Sequence, residues 1–216
     1  MYRILLEAGS AVVADVFDNL GRLPSVLVET IVPIRPDEGF VGPAFTITGE
    51  SRVSNETGDR SKLEAIDAMP AGVVPVWAGT DIRGVCCFGD LLAEAMKARG
   101  CLGVVVDGGV RDVQYLRQMD LPIRARYFTP AQAIGRWKVT AHQVPVQVHG
   151  ALQDWVTVNP GDIVVADQDG VVIVPAADLA SVTDQIAAWS STEVESRSAI
   201  KEGMPLLAAL DRFGHL

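Results

Sequence analysis

The strongest constraint on the fold is an alternation of helix and strand patterns in the middle of the 216-residue chain. Residues 91–99 have the apolar spacing of a helix that ends at Gly100, residues 103–107 form a short apolar run, and residues 112–119 again have helical spacing. The glycine pair at residues 108–109 predicts a turn between the last two segments. Helices that alternate with strands in this way are typical of an α/β domain.

Helical patterns also open and close the chain. Residues 5–20 predict a first helix, residues 62–69 a second, and residues 177–191 and 193–202 two closing helices. Short β-branched runs separated by Pro and Gly predict strands at residues 26–34, 43–48, 73–77, 123–128, 138–142, 145–148, 155–158, 163–166 and 171–174. We therefore expect one domain over residues 1–216, an α/β sandwich in which helices cover layers of sheet.

The charge and the cysteines limit the partners. A formal net charge of -9 opposes the phosphate-neutralising surface of a nucleic-acid binder and the attraction to an anionic membrane. Cys86, Cys87 and Cys101 contain no C-x-x-C pair, and they fit neither a disulfide framework nor a zinc knuckle. We therefore expect a cytoplasmic protein with a small-molecule ligand, without a nucleic-acid or membrane partner.

Two helix starts carry the candidate chemistry. Residues 89–92, Gly-Asp-Leu-Leu, open one helix, and residues 109–112, Gly-Val-Arg-Asp, open the next one after a strand. In open α/β sheets, ligands collect at the carboxyl ends of strands, where the first amides of a helix have no helical partner. The amides of Leu91 and Leu92 would therefore favour an anion such as a carboxylate.

The side chains at these starts suit a small acid and a divalent metal ion. Arg111 can clamp a carboxylate through two parallel hydrogen bonds, and Asp112 offers a hard oxygen ligand for Mg²⁺ or Mn²⁺. Asp90 would hold metal-bound water or accept a proton. The simpler interpretation is that both aspartates are helix N-caps and that Arg111 is a surface cation.

Residues 89–90 and 111–112, with twenty residues between them, resemble the metal and substrate motif of the class II pyruvate aldolases, whose type member is 4-hydroxy-4-methyl-2-oxoglutarate aldolase. Further similar phrases occur at residues 41–46, 103–108, 159–167 and 169–175. The resemblance implies a swivelling β/α/β domain in an α/β/β/α sandwich. It also implies homotrimers or homohexamers with active sites between subunits, in which residues 177–216 pack on a neighbouring subunit.

The resemblance assigns the metal ligands. Asp112 would bind Mg²⁺ or Mn²⁺ directly, and Asp90 would position water near the metal. A carboxylate from a neighbouring subunit would also reach the metal-bound waters, and Glu193 or Glu195 is the candidate. Tyr115 departs from the family pattern, because the aldolases usually carry an acidic residue three positions after the metal-binding Asp. The surroundings of the metal are therefore expected to differ here.

The resemblance likewise assigns the substrate contacts and the reaction. Gly89 and the amides of Leu91 and Leu92 would support pyruvate, and Arg111 would hold the substrate carboxylate. The implied reaction is cleavage of a 4-hydroxy-2-oxo acid to pyruvate through an enolate, with oxaloacetate decarboxylation as a side activity. No His or Lys is evident as the general base, so water held near Asp90 is the hypothesis.

Two other functions stay open. The same fold includes the regulator of ribonuclease activity A, a non-catalytic binding protein in which the Arg-Asp pair is incomplete. The pair at Arg111 and Asp112 is intact here, which favours catalysis. A lyase for a different 2-oxo acid is the second alternative, and Tyr115 and the loop at residues 51–60 are where altered specificity is expected.

Overall fold

The structure, a computed structural model, describes residues 1–36, 39–55, 57–79 and 82–214, except for the side chains of residues 190–194. The helices in these ranges are Tyr2–Asn19 (α1), Arg60–Asp67 (α2), Asp90–Ala98 (α3), Val113–Leu116 (α4), Leu179–Lys201 (α5) and Leu206–Phe213 (α6). The strands are Ser25–Val26 (β1), Val32–Pro33 (β2), Phe40–Ser51 (β3), Val74–Ala78 (β4), Cys86–Phe88 (β5), Val104–Val110 (β6), Ile123–Phe128 (β7), Trp137–His142 (β8), Val146–His149 (β9), Trp155–Val158 (β10), Ile163–Ala166 (β11) and Val171–Val174 (β12).

The long strand β3 joins the two halves of a ten-stranded sheet. Residues 40–43 of β3 pair antiparallel with β11, and residues 44–48 pair parallel with β4. Its far end pairs antiparallel with β8, with a register shift between Thr48 and Gly49 of the kind that bends a strand. The sheet continues from β11 through β12 to β1, and from β4 through β6 and β7 to β2.

Three apolar cores separate the layers of the fold. The first lies between helices α1 and α5 and the outer face of β11 and β12. The second lies between the two halves of the sheet and includes the β9–β10 hairpin. The third lies between helices α2 and α3 and the outer face of β4, β6 and β7. The layers therefore follow the order α/β/β/α, which confirms the fold class expected from the sequence.

Alternating side chains in the central strands produce this layering. In β6, Val104 and Val106 point to the core beneath α2 and α3, whereas Val105 points to the core between the half-sheets. In β11, Val164 faces the inner core and Val165 faces α1 and α5. Strands buried on both faces have continuous apolar sequences, which explains why the sequence identifies them as strands.

A buried polar cluster ties the β9–β10 hairpin to β6. The Asp107 carboxylate is fully buried and accepts hydrogen bonds from Arg126 Nη1 at 2.7 Å and from the backbone N–H of His149 at 3.1 Å. The His149 ring packs against Trp155, with ring centroids 4.2 Å apart. Because a buried charge is tolerated when it is paired and hydrogen-bonded, these contacts explain how β6 carries an aspartate on its inner face.

The glycine pair at residues 108–109 lies inside β6 and not in a turn, contrary to the sequence prediction. A Cβ atom on Gly109 would lie 2.4 Å from Cε2 of Tyr127 and 2.8 Å from the carbonyl oxygen of Val85. Close packing around β6 therefore requires the glycine, and turn rules do not detect this requirement. The helix predicted at residues 112–119 is reduced to the four residues of α4.

Other elements also differ from the sequence prediction. The two helices predicted at residues 177–191 and 193–202 form one continuous helix, α5, after a 3-10 turn at Ala176–Asp178. Helix α6 follows and was missed, and the strand predicted at residues 26–34 is reduced to the two-residue strands β1 and β2. Within the described ranges, every helix is too short or too polar to cross a membrane.

Asp167, in the turn between β11 and β12, fastens helix α1 to the sheet. Its carboxylate accepts hydrogen bonds from the backbone N–H of Ser10, from the Ser10 hydroxyl at 2.6 Å and from the backbone N–H of Asp169 at 3.0 Å. Partial burial raises the pKa of Asp167, but the hydrogen bonds outweigh burial and lower the pKa below its usual value. The carboxylate is therefore a structural acceptor.

Replacement of Asp167 by Asn is expected to reduce stability near neutral pH by about 1–2 kcal/mol, because charge-assisted hydrogen bonds are lost. Since the folded-state pKa lies below the unfolded value of about 3.9, the contribution is complete above that value and disappears as the pH falls through the folded-state pKa. Urea unfolding between about pH 7 and pH 3, with Asp169→Asn as control, measures this difference. An equal loss of stability at both ends of the range would contradict it.

Candidate active site

Strands β5 and β6 bring the two predicted helix starts together. The strands are parallel neighbours, with Phe88 opposite Val110, so the residues that follow each strand lie side by side. Helix α3 begins at Asp90 after its N-cap, Gly89, and the chain after β6 continues through Arg111. The structure therefore places Gly89 and Asp90 against Arg111 and Asp112, although about twenty residues separate them in sequence.

Asp112 has a left-handed backbone conformation, and its carboxylate accepts the first amide of α3 instead of capping α4. Its φ of 57° and ψ of 35° are left-handed, which is uncommon for a residue other than glycine. The residue occupies the N-cap position of α4, but its side chain caps none of the described amides of that helix. Oδ2 instead lies 3.3 Å from the backbone nitrogen of Asp90 and 3.3 Å from Nε of Arg111. The simple N-cap interpretation therefore fails for Asp112.

Gly89 permits this close approach. A Cβ atom at position 89 would lie 2.1 Å from Oδ2 of Asp112 and 3.0 Å from Cγ of Arg111. The backbone of Gly89 itself is extended, so the requirement is for space beside the Asp112 carboxylate. The sequence motif places the glycine correctly, and the structure supplies the reason for it.

The amides at the start of α3 are not equivalent. Asp90 is the first helical residue, and its Oδ1 accepts the backbone N–H of Leu91 at 2.8 Å. The Leu91 amide, predicted to support pyruvate, is therefore already engaged by a side chain. The Leu92 amide is the third of the helix and has no acceptor four residues earlier within α3, so it can serve a ligand.

Arg111 presents a cation at the same place. Its side chain is 42% exposed. Its Nε atom is buried, and it donates no hydrogen bond to an acceptor in the described part of the chain. Nε is nevertheless only 3.3 Å from Oδ2 of Asp112. The guanidinium is thus close to a carboxylate but keeps donors for a ligand, as an anion-binding arginine requires.

Arg111 and the start of α3 line one pocket of about 280 Å³. The other walls come from residues before and within α2, from β5 and from residues 132–134. Leu63, Phe88 and Ile134 make part of the lining apolar. This size fits a small acid rather than a nucleotide or a large cofactor.

Lys62 also lines this pocket, and the sequence analysis missed it. It lies in α2, only 6% of the residue is exposed, and Nζ donates a hydrogen bond to the carbonyl oxygen of Cys87 at 2.7 Å. Lys62 shares the buried face of the helix with Ala65 and Ile66, which follow it at helical spacing. A lysine on the apolar stripe of an amphipathic helix was therefore the available sequence signal.

The two cysteines beside the pocket, Cys86 and Cys87, are buried. Burial raises the pKa of Cys87 to about 12 and also raises the pKa of Cys86. Both thiols therefore stay protonated near neutral pH, and neither is suited to act as a nucleophile.

The carboxylates available within one chain are few. Among the described residues, no group of three or more His, Cys, Asp or Glu side chains is arranged to hold a metal ion. Asp112 and Asp90 supply two carboxylates, which fits Mg²⁺, an ion often held by one or two carboxylates with water and substrate as the other ligands. The donor set is therefore compatible with a divalent ion.

The remaining predicted site residues lie elsewhere. Tyr115 is 61% exposed and borders a shallow groove with Asp90 and Leu91, outside the main pocket. Glu195 is exposed on α5, which packs on α1 in the outer layer opposite α2 and α3. The side chain of Glu193 lies outside the described residues. The single chain therefore does not bring Glu195 to the pocket.

Comparison with known proteins identifies relatives along most of the chain. The family model RraA-like, described as Aldolase/RraA, matches residues 10–173. Protein DlpA of Legionella pneumophila is 29% identical over 97% of this chain, but the chain spans only 33% of that protein. A candidate 4-hydroxy-4-methyl-2-oxoglutarate aldolase of Halalkalibacterium halodurans is 29% identical over 94% of this chain and 90% of its own length.

A solved structure supports the same relationship. The structure of Streptomyces coelicolor RraAS2, described as an unusual member of the RNase ES inhibitor RraA protein family, matches with a TM-score of 0.80 and 28% identity. The match covers 91% of this chain and 96% of that one. The similar proteins thus include a candidate aldolase and a member of an inhibitor family.

Replacement of Gly89 by Ala is expected to disturb the site and not the fold. The new methyl group would displace the Asp112 carboxylate and the Arg111 side chain. The nearest atoms that it meets all belong to these two side chains and not to the backbone. Mn²⁺ binding, measured by titration calorimetry, should weaken about tenfold or more, while the urea midpoint changes little. Gly170→Ala, where the added atom meets open space, is the control. Unchanged Mn²⁺ binding in Gly89→Ala would contradict a metal site that depends on the position of the Asp112 carboxylate beside Gly89.

Proposed function

The chain belongs to the RraA-like family, Aldolase/RraA, and on that premise we propose that it is a carbon–carbon lyase that releases pyruvate from a small 4-hydroxy-2-oxo acid. The candidate substrate is 4-hydroxy-4-methyl-2-oxoglutarate, by similarity to the Halalkalibacterium relative. The observation that carries the proposal is the convergence of Arg111 and Asp112 with Gly89 and Asp90 beside one small pocket.

Arg111 and the start of α3 would hold the pyruvyl part of the substrate. The guanidinium would bind the carboxylate, and the Leu92 amide at the positive end of the helix would add a further donor. Cleavage of the C3–C4 bond leaves an enolate, so negative charge develops beside Arg111. A cation fixed in place stabilises this developing charge more than it stabilises the ground state.

Asp112 would hold a divalent ion, Mg²⁺ or Mn²⁺, and Asp90 would contact it through water. When bound, the ion would supply Lewis-acid chemistry at the 2-oxo acid. Asp112 is suited to this role because its carboxylate is turned toward Asp90 and is free of a capping bond within the described α4. Asp59 also lines the pocket, but its two oxygens accept the backbone N–H groups of Lys62 and Val139.

The same site would decarboxylate oxaloacetate. Loss of CO₂ from C4 of oxaloacetate leaves the enolate of pyruvate, which is also the product of the aldol cleavage. Groups that stabilise this enolate therefore support both reactions. Decarboxylation of oxaloacetate is the side activity proposed here.

A homotrimer or homohexamer would complete the site. Leu206, Leu207 and Leu210 of α6 are exposed, and such an apolar surface is suited to packing on a neighbouring copy. Glu193 or Glu195 from that copy would then contact the metal-bound waters. The chain would act in the cytoplasm on a small molecule, without nucleic acid or membrane, since its net charge is -9 and its three cysteines are free.

A regulatory binding protein is the second candidate function. The match to RraAS2, over 96% of that chain, favours it, because that protein is described as a member of an inhibitor family. A lyase for a different 2-oxo acid is a third possibility, with Tyr115 and the loop at residues 51–60 as the places where specificity would change. These candidates predict different results with purified protein and a small acid.

Pyruvate release from 4-hydroxy-4-methyl-2-oxoglutarate and from oxaloacetate tests the proposal. With Mg²⁺ or Mn²⁺, wild-type protein is expected to release pyruvate from both acids, and chelator should abolish the release. Asp112→Ala should lose about 100-fold or more of the activity, whereas Asp120→Ala, which removes an exposed carboxylate, should not. An assay coupled to a dehydrogenase measures the pyruvate released from each acid. No release from either acid by wild-type protein would favour the binding protein or another substrate.

A further inference from the structure

Lys62 is a buried cationic side chain whose environment does not explain its burial. Its Nζ donates one hydrogen bond, to the Cys87 carbonyl, and lies 5.4 Å from the centre of the Trp137 ring. No carboxylate in the described part of the chain forms an ion pair with it. A buried lysine usually requires a paired charge, and an amine has three positions for hydrogen bonds. Nζ therefore keeps bonding capacity beside the pocket.

Helix α2 holds Lys62 in a fixed position on a different side of the pocket from α3 and β6. Asp59 caps α2 by accepting the backbone N–H of Lys62 at 3.1 Å, and its other oxygen accepts the backbone N–H of Val139 at 3.0 Å. The groups assigned to the pyruvyl part of the substrate come from α3 and from the end of β6 instead. Lys62 thus enters the pocket from a separate element, where the rest of the substrate would lie.

The surroundings of Lys62 lower the pKa of its amine. Burial is the main cause that lowers the pKa of Lys62, and the nearby Arg111 guanidinium lowers it further. Asp59 and the thiols of Cys86 and Cys87 act in the opposite direction, but the net pKa is lowered. A lower pKa increases the fraction of lysine in the unprotonated form, which is the form that can accept a proton.

We propose that Lys62 is the general base of the lyase, taking the proton from the C4 hydroxyl group of the substrate; this inference rests on the proposed function. The amine lone pair takes the hydroxyl proton, the C4–O bond becomes a carbonyl, and the C3–C4 bond breaks. The electron pair of that bond forms the pyruvate enolate. The ammonium group then returns its proton to C3, which yields the methyl group of pyruvate and restores the amine.

This role replaces the water near Asp90 as the base and separates two reactions at one site. Oxaloacetate has no C4 hydroxyl proton to remove, so its C–C cleavage does not need Lys62. The aldol substrate does need it. Loss of the base should therefore stop aldol cleavage and spare the consumption of oxaloacetate, a split that damage to the fold or to the metal site would not produce.

The decisive variants are Lys62→Met, which removes the amine and keeps the length of the side chain, and Lys62→Arg, which supplies a permanent cation that cannot act as a base. Both should lower kcat for cleavage of 4-hydroxy-4-methyl-2-oxoglutarate by about 100-fold or more, with nearly wild-type consumption of oxaloacetate. The wild-type rate should rise with pH through the ionisation of Lys62, and the residual rate of Lys62→Met should not. Lys97→Met, at a half-buried lysine of α3 that does not line the main pocket, is the matched control.

The outcomes separate the two proposals. A wild-type protein that is inactive on both acids overturns the proposed function. A wild-type protein active on both, with Lys62→Met unaffected or equally impaired on both, overturns only the role of Lys62. High aldol activity in Lys62→Arg would make the residue a binding cation instead. Inactivation of wild type by borohydride in the presence of pyruvate, absent in Lys62→Met, would replace the base by a Schiff-base lysine. Thermal unfolding monitors the fold of each variant.

Discussion

Strand β6 is the constraint on which the rest of the molecule depends. All seven of its residues are buried, and it pairs in parallel with β4, β5 and β7. Its side chains contribute to the core beneath α2 and α3 and to the core between the half-sheets. Its pairing with β5 fixes Phe88 opposite Val110, which brings Gly89 against Arg111 and Asp112. A shift in this register would separate the motif and disturb both cores, so stability and site geometry share one origin.

The pocket places two basic side chains beside two carboxylates, Asp59 and Asp90, in a chain that is acidic as a whole. A net charge of -9 would repel a carboxylic acid at long range, but Arg111 and Lys62 both line the pocket. Burial strengthens an electrostatic interaction because little water is present to screen it. The same burial penalises two neighbouring cations, which is relieved when Lys62 is neutral. The proposed roles of the two residues, anion binding by Arg111 and proton transfer by Lys62, agree with this difference between them.

The sequence predicts the bounds of an element well where the residues of that strand or helix alone determine its apolar pattern. Strands β7, β10, β11 and β12 have the predicted bounds, and α3 begins at the predicted motif. It fails where distant residues decide: Gly109 serves packing against Tyr127, and the brief α4 follows the left-handed Asp112. Lys62 was missed for the same reason, since only the packing of α2 on the sheet makes its burial a feature of the site. The motif residues were found from their positions at two helix starts and from the family resemblance, and the pairing of β5 with β6 brings them together.

The division of the pocket between elements suggests how one fold supports different functions. The groups proposed to bind the pyruvyl part of the substrate follow β5 and β6, whose positions are fixed by the cores. Lys62 belongs to α2, an eight-residue helix at the outer layer, and its position depends on the Asp59 cap and on packing against β8. On the proposed roles, a change at α2 would alter proton transfer without moving the enolate site, whereas loss of Arg111 or Asp112 would remove the enolate site and leave the fold. The reaction type can therefore change while the fold stays the same, as expected when function depends on a few side chains of a shared scaffold.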